Sequence, residues 1–122
     1  MEKEKINSYR DLVVWQKSIR LTVEVYRLAE KFPSSELYGL ASQMKRAAVS
    51  VPSNIAEGSR RSSRKDYRHF LLIAFGSGSE LETQIEVAKN LPFGKSLDYS
   101  HVSTLLEEVM RMLNVLVSKL EN

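Results

Sequence analysis

Seven basic side chains, Lys45, Arg46, Arg60, Arg61, Arg64, Lys65 and Arg68, lie between residues 45 and 68 against two acids, Glu57 and Asp66. Clustered cations neutralise phosphates, and they do so without reading bases. The alternative is a solvated helix face with no ligand. Residues 80–122 hold seven acids and four bases, while the whole chain carries +3. The positive character is therefore local, which is what draws a polyanion to one part of a surface. No aromatic series interleaves with these cations and no RNA-recognition motif is present, so the expected chemistry is backbone-directed and salt-dependent.

Catalysis has thinner support. Arg64 and His69 match the loose arginine–histidine spacing of some helical ribonucleases. Five residues put two side chains ~140° apart on an ideal helix, so one shared site needs distortion or a second copy. His69 reads as a bundle-edge residue and His101 as exposed. Glu80 and Glu82 point apart as adjacent-but-one helical positions, and no nucleophile or phosphate-binding loop accompanies them. Two histidines and no cysteine make a weak case for a metal, and no cofactor signature appears. The expectation is a protein that is not an enzyme.

A length of 122 residues points to one domain, 1–122, with a real core, and 43% hydrophobic and 27% charged residues are ordinary for a globular chain. Absent cysteines fit a reducing cytoplasm. No apolar run approaches the ~20 residues of a membrane span, and Met1 to Tyr9 lacks a signal-peptide core. A cytoplasmic protein with no membrane partner is expected.

Four segments show helical period and none shows convincing strand alternation. The first runs from about Leu12 to Phe32 with Asp11 as N-cap. Its stripe is Leu12, Trp15, Ile19, Val23 and Tyr26, widened by Val25 and Leu28. The second runs from about Leu37 to Gly58 along Leu37, Ala41, Met44, Ala48, Val51 and Ile55, the alternating three- and four-residue steps of a bundle seam. Gln43, Arg46, Ser50, Ser53, Glu57, Arg60 and Arg61 fall on its opposite half. The third runs from about Arg64 to Leu91, with Ser63 and Asp66 as a capping pair. Tyr67, Leu71, Ala74, Gly78, Leu81, Ile85 and Ala88 form its seam. Gly76 and Gly78 each cost ~1 kcal/mol against alanine, offset if they let the helix approach Ala47 and Ala48. The fourth runs from about Leu97 to Leu120, capped by Ser96, along Val102, Leu106, Val109, Leu113, Leu116 and Leu120. Short connections make neighbours antiparallel, giving an all-α, up-down four-helix bundle.

Pro52 falls inside the second helix. It lacks an N–H and crowds the carbonyl of Ala48, so a kink or local interruption is expected there. Ser50, Ser53 and Asn54 are the nearest short donors for the freed carbonyls.

The strings "DLVVWQKS" at Asp11–Ser18, "YGLASQMKRAAVSVPSNIAEGSRR" at Tyr38–Arg61 and "FLLIAFGSGSELETQIEVA" at Phe70–Ala88 resemble a bacterial four-helix bundle family. Its members are often encoded within intervening sequences of large-subunit ribosomal RNA genes. The family includes accessory proteins of diversity-generating retroelements. The resemblance spans nearly the whole chain. It implies an antiparallel bundle, a homo-oligomer that is a pentamer, nucleic acid as a partner, and a reverse transcriptase as a possible protein partner. Its motif falls on Gln43, Arg46, Ser50, Pro52, Asn54, Glu57, Gly58, Glu80, Glu82 and Gln84. Two functions follow as alternatives. One is a nucleic-acid-binding module, RNA before DNA, acting through the seven cations. The other is a protein-interaction scaffold in which Glu80, Glu82 and Glu86 complement the basic patch, with Arg46 bridging to Glu80 or Glu82 within or between subunits.

Overall fold

The computed structural model describes residues 8–121. Its helices are α1 (Val13–Ala29), α2 (Leu40–Ser59), α3 (Arg64–Asn90) and α4 (Ser100–Lys119), with short 3-10 turns at Tyr9–Asp11 and Ser34–Glu36. Among the described residues there is no strand. Each helix packs on its neighbours in sequence, and α4 closes the ring against α1. Cross-helix contacts pair rising numbers on one helix with falling numbers on the next. Thr22 and Tyr26 of α1 meet Ala48 and Lys45 of α2. Ser50 and Gly58 meet Ser77 and Phe70 of α3, and Arg68 and Lys89 of α3 meet Val117 and Tyr99 beside α4. Adjacent helices running in opposite directions give this pattern.

The α3 seam is buried as its spacing requires, with Leu71, Ala74, Gly78, Leu81, Ile85 and Ala88 inside. The α1 seam is not the one its most apolar stripe suggests. Val14, Ser18, Leu21, Val25 and Leu28 face the core, while Ile19, Val23 and Tyr26 are exposed. Ser18 is the reason the true stripe reads as polar. Its hydroxyl donates to the Trp15 carbonyl at 2.7 Å, which satisfies it inside the core. Leu37 is likewise exposed, because α2 begins three residues later, at Leu40.

Caps explain the shifted helix starts. Asp11 does not cap α1: its carboxylate accepts from Ser8 N–H at 3.3 Å, closing a capping box around the first 3-10 turn. Ser96 does not cap α4. Asp98 accepts from Ser100 N–H at 2.9 Å, and hydrogen bonds from Ser100 hold the Asp98 carboxyl below the usual range. Glu36 accepts from Leu40 N–H at 3.2 Å at the start of α2. Ser63 does cap α3, accepting from Asp66 N–H at 3.0 Å.

Helix α2 continues through a buried Pro52 without interruption. The carbonyl of Ala48, which Pro52 cannot serve, lies 3.1 Å from the Thr22 hydroxyl of α1, whose single proton is shared with the Ser18 carbonyl of its own helix at 2.8 Å. The donor comes from a neighbouring helix, not from the polar residues beside the proline. Asn54 instead donates to the Ser50 carbonyl at 2.8 Å and to its hydroxyl at 3.0 Å, and the Ser50 and Ser77 hydroxyls lie 2.8 Å apart. A polar link thus sits between α2 and α3.

The glycines divide. A Cβ on Gly58 would stand 2.8 Å from Phe70 Cβ and 3.1 Å from the Tyr67 carbonyl, so α3 presses on α2 there. The atoms nearest a Cβ on Gly78 belong to Met110 of α4, and Gly76 faces open space.

Candidate nucleic-acid interface

The seven cations form two groups, not one belt. Lys45 on α2 and Arg60 at its C-cap lie fifteen residues apart, about 22 Å along the axis at ~1.5 Å per residue.

The first group surrounds the turn from α2 to α3, and most of it is engaged by its own chain. Arg61 pairs with Glu57 at 2.7 Å, one helical turn back, and its guanidinium lies 4.6 Å from the centroid of Phe70. Arg64 donates to the Lys119 carbonyl at 2.7 Å. Arg68 donates to the Val117 carbonyl at 3.3 Å and pairs with Glu121 at 3.1 Å. Arg64 and Arg68 therefore meet the carbonyls at the negative end of the α4 dipole. Arg60 lies 5.2 Å from the Tyr9 centroid, and Arg10 lies 4.9 Å from the same ring. Tyr9 in turn meets Trp15 edge-on at 5.2 Å. Arg60, Arg61, Arg64 and Lys65 remain exposed.

The second group is Lys45 and Arg46. The Lys45 ammonium lies 5.1 Å from the Tyr26 centroid. Both cations line a groove of about 690 Å³ with Tyr26, Leu37, Tyr38 and Val49. Among the described residues, neither they nor Lys65 pairs with a carboxylate; of the seven, Arg61 and Arg68 do so. Sequence reasoning missed Tyr26 by assigning it to the core stripe and missed Tyr38 by placing it inside the helix. The signal was available at Ser18: once that position is read as buried, Tyr26 turns outward.

Other motif positions have different surroundings. Gln43, Glu57, Glu80 and Glu82 are exposed, whereas Ser50 and Asn54 are half-buried between helices. Gln84 is buried, and its side-chain oxygen has no hydrogen-bond partner. Arg46 makes no ion pair with Glu80 or Glu82 within the chain, among the described residues. Glu86 pairs with Lys89 at 3.1 Å. Arg64 and His69 are not brought together: the arginine reaches the end of α4, and the exposed imidazole meets Phe70 edge-on at 5.7 Å. His101 is exposed, in a groove between α1 and α4 that Lys17, Glu24 and Glu108 also line. Among the described residues, no group of three or more histidines or acids is placed to hold a metal. No described helix is long and apolar enough to cross a membrane.

The architecture is that of an all-helical four-helix bundle with basic residues in two groups, one on α2 and one from the end of α2 into the start of α3. The sequence profile of the 23S rRNA-intervening sequence proteins matches residues 10–115, and the chain belongs to that family. The fold is also similar to a crystal structure from Bacteroides thetaiotaomicron, a protein of unknown function from the S23 ribosomal protein family. That likeness has a TM-score of 0.79 at 23% identity, covering 89% of this chain and 98% of the other. No curated protein matches.

Proposed function

We propose that the protein binds nucleic acid, RNA before DNA, through phosphate contacts, and that it does so as a homo-oligomer without catalysing a reaction. The observation that carries this reading is the exposure of cations in both groups. Arg60, Lys65, Lys45 and Arg46 pair with no carboxylate among the described residues, and Arg61 shares Glu57 while remaining open to solvent. Cations held this way are available for counterion release on a polyanion. RNA is favoured because the family is named for proteins of the 23S rRNA intervening sequence. An oligomer, a ring of five by resemblance, repeats each group around a common axis and multiplies weak contacts. A cytoplasmic setting suits such a ligand.

The test is retention of RNA by the purified protein at low salt, with Arg60, Arg61 and Arg64 each changed to Glu in one variant. Loss of about 100-fold or more in affinity is expected, since several phosphate contacts go at once. Unchanged retention of RNA and DNA by a variant with native helicity contradicts the reading. Salt-dependent loss of the oligomer, without any nucleic-acid binding, favours the scaffold instead.

A further inference from the structure

We infer that the groove between the end of α1 and the start of α2 is a base-stacking subsite for single-stranded nucleic acid. Tyr38 stands in the connection ahead of α2 with 93% of its surface exposed. It lines the groove with Tyr26, which the α1 register turns outward, and with Leu37 and Val49. The lining side chains include two cations, Lys45 and Arg46, and no carboxylate. Six residues drawn from α1, the connection and α2 therefore build one surface that is aromatic, apolar and positive. A planar anion is the matching ligand.

Base on phosphate backbone is that chemistry. Aromatic rings take bases of any sequence on their faces, and nearby cations take the phosphates. The Tyr26 ring already holds the Lys45 ammonium 5.1 Å from its centroid, so the cation stands beside the stacking surface before a ligand arrives. Tyr38 supplies the open face. A nucleotide stacked on Tyr38 sets its phosphate against Lys45 and Arg46. Bases inside a duplex offer no free face, so the subsite takes unpaired nucleotides. An acidic peptide would satisfy the two cations but leave the Tyr38 ring without a planar partner.

On an ideal helix Arg46, Ser53, Glu57 and Arg60 share one stripe within ~60°. The groove and the cations at the α2–α3 turn therefore lie along one side of α2, and one strand can run between them. The inference rests on the nucleic-acid reading above, and the two can fail separately.

The experiment measures fluorescence anisotropy with three labelled probes of equal length: polyadenylate, an abasic strand, and an RNA duplex. They are titrated into the wild-type protein, Tyr38→Ala, Tyr38→Phe and the Arg60/Arg61/Arg64 charge reversal. Because Tyr38 is almost wholly exposed, its replacement leaves the core intact. Tyr38→Ala is expected to weaken polyadenylate binding about 10-fold. Its affinity for the abasic strand and the duplex stays at the wild-type level, and Tyr38→Phe restores polyadenylate binding. The inference is overturned if Tyr38→Ala binds polyadenylate as the wild type does while the charge reversal weakens every probe; the phosphate-binding reading then survives alone. It is also overturned if polyglutamate displaces polyadenylate as well as unlabelled polyadenylate does. A wild-type protein that binds none of the probes removes both readings.

Discussion

The two basic groups differ in what their own chain asks of them. Around the turn from α2 to α3, cations are dense, yet Arg61, Arg64 and Arg68 serve Glu57, the end of α4 and Glu121. In the groove by α1, cations are sparse, yet Lys45 and Arg46 meet no carboxylate among the described residues and lie beside two tyrosines. Density of charge along a sequence therefore does not measure charge available to a partner. In the proposed function the dense group ties stability to binding, whereas the groove keeps them apart.

Packing gives the sharpest break between the two. Gly58 closes the dense end, where a Cβ would lie 2.8 Å from Phe70 Cβ and 3.1 Å from the Tyr67 carbonyl. Neither can move cheaply, so Gly58→Ala is expected to destabilise by ~1–3 kcal/mol in thermal or urea unfolding. Gly76, with nothing within 4 Å of a built Cβ, is expected to gain ~1 kcal/mol on change to alanine. Equal effects at the two glycines would erase the contrast.

Beneath the groove, cohesion comes from a neutral bond. Thr22→Val removes the hydroxyl shared between the Ser18 carbonyl at 2.8 Å and the Ala48 carbonyl at 3.1 Å. It is expected to cost ~1–2 kcal/mol while leaving RNA affinity unchanged. The cations themselves come next. Arg68→Ala is expected to lower stability by ~0.5–1 kcal/mol, a figure discounted for its partly exposed partner, because it meets the last carbonyls of α4. Lys45→Ala with Arg46→Ala is expected to stay within ~0.5 kcal/mol of wild type. A larger loss there would mean that the groove cations are structural too.

The smallest effect lies in pH. Asp98 is held below the usual carboxylate range by hydrogen bonds from Ser100, and Glu108 by the hydrogen bond and charge of Lys17. A depressed folded value means the ionised form favours the fold. Its contribution is complete above the unfolded carboxylate range and is lost as pH falls through the folded value. Melting temperature should therefore decline on acidification below about pH 4.5, and Asp98→Asn with Glu108→Gln should flatten that decline. Neither carboxylate belongs to a basic group, so the charge-reversal variant should keep the acid limb of the curve.

Much of the fold was legible because three seams repeat at steps of three and four. Leu71, Ala74, Leu81 and Ala88 needed only their spacing. The α1 register was not legible for a physical reason. Two stripes compete there, and the more apolar one, through Ile19, Val23 and Tyr26, lost to one containing a serine satisfied by its own helix. Pro52 shows the same limit, since its orphaned carbonyl is met by Thr22, twenty-six residues away. The basic residues were visible as a cluster, but their division was not. Which arginines reach Val117 and Lys119 depends on the start of α3 lying beside the end of α4, a fact of tertiary packing.

The most direct test of the central claim is the salt dependence of RNA affinity for the wild-type protein and for the Arg60/Arg61/Arg64 charge reversal. A linear fall of log affinity with log salt is predicted, with a slope that shrinks in the variant by roughly 0.7 for each single-strand phosphate contact removed. An affinity indifferent to salt, or a slope identical in both proteins, would contradict the claim that these cations hold a phosphate backbone.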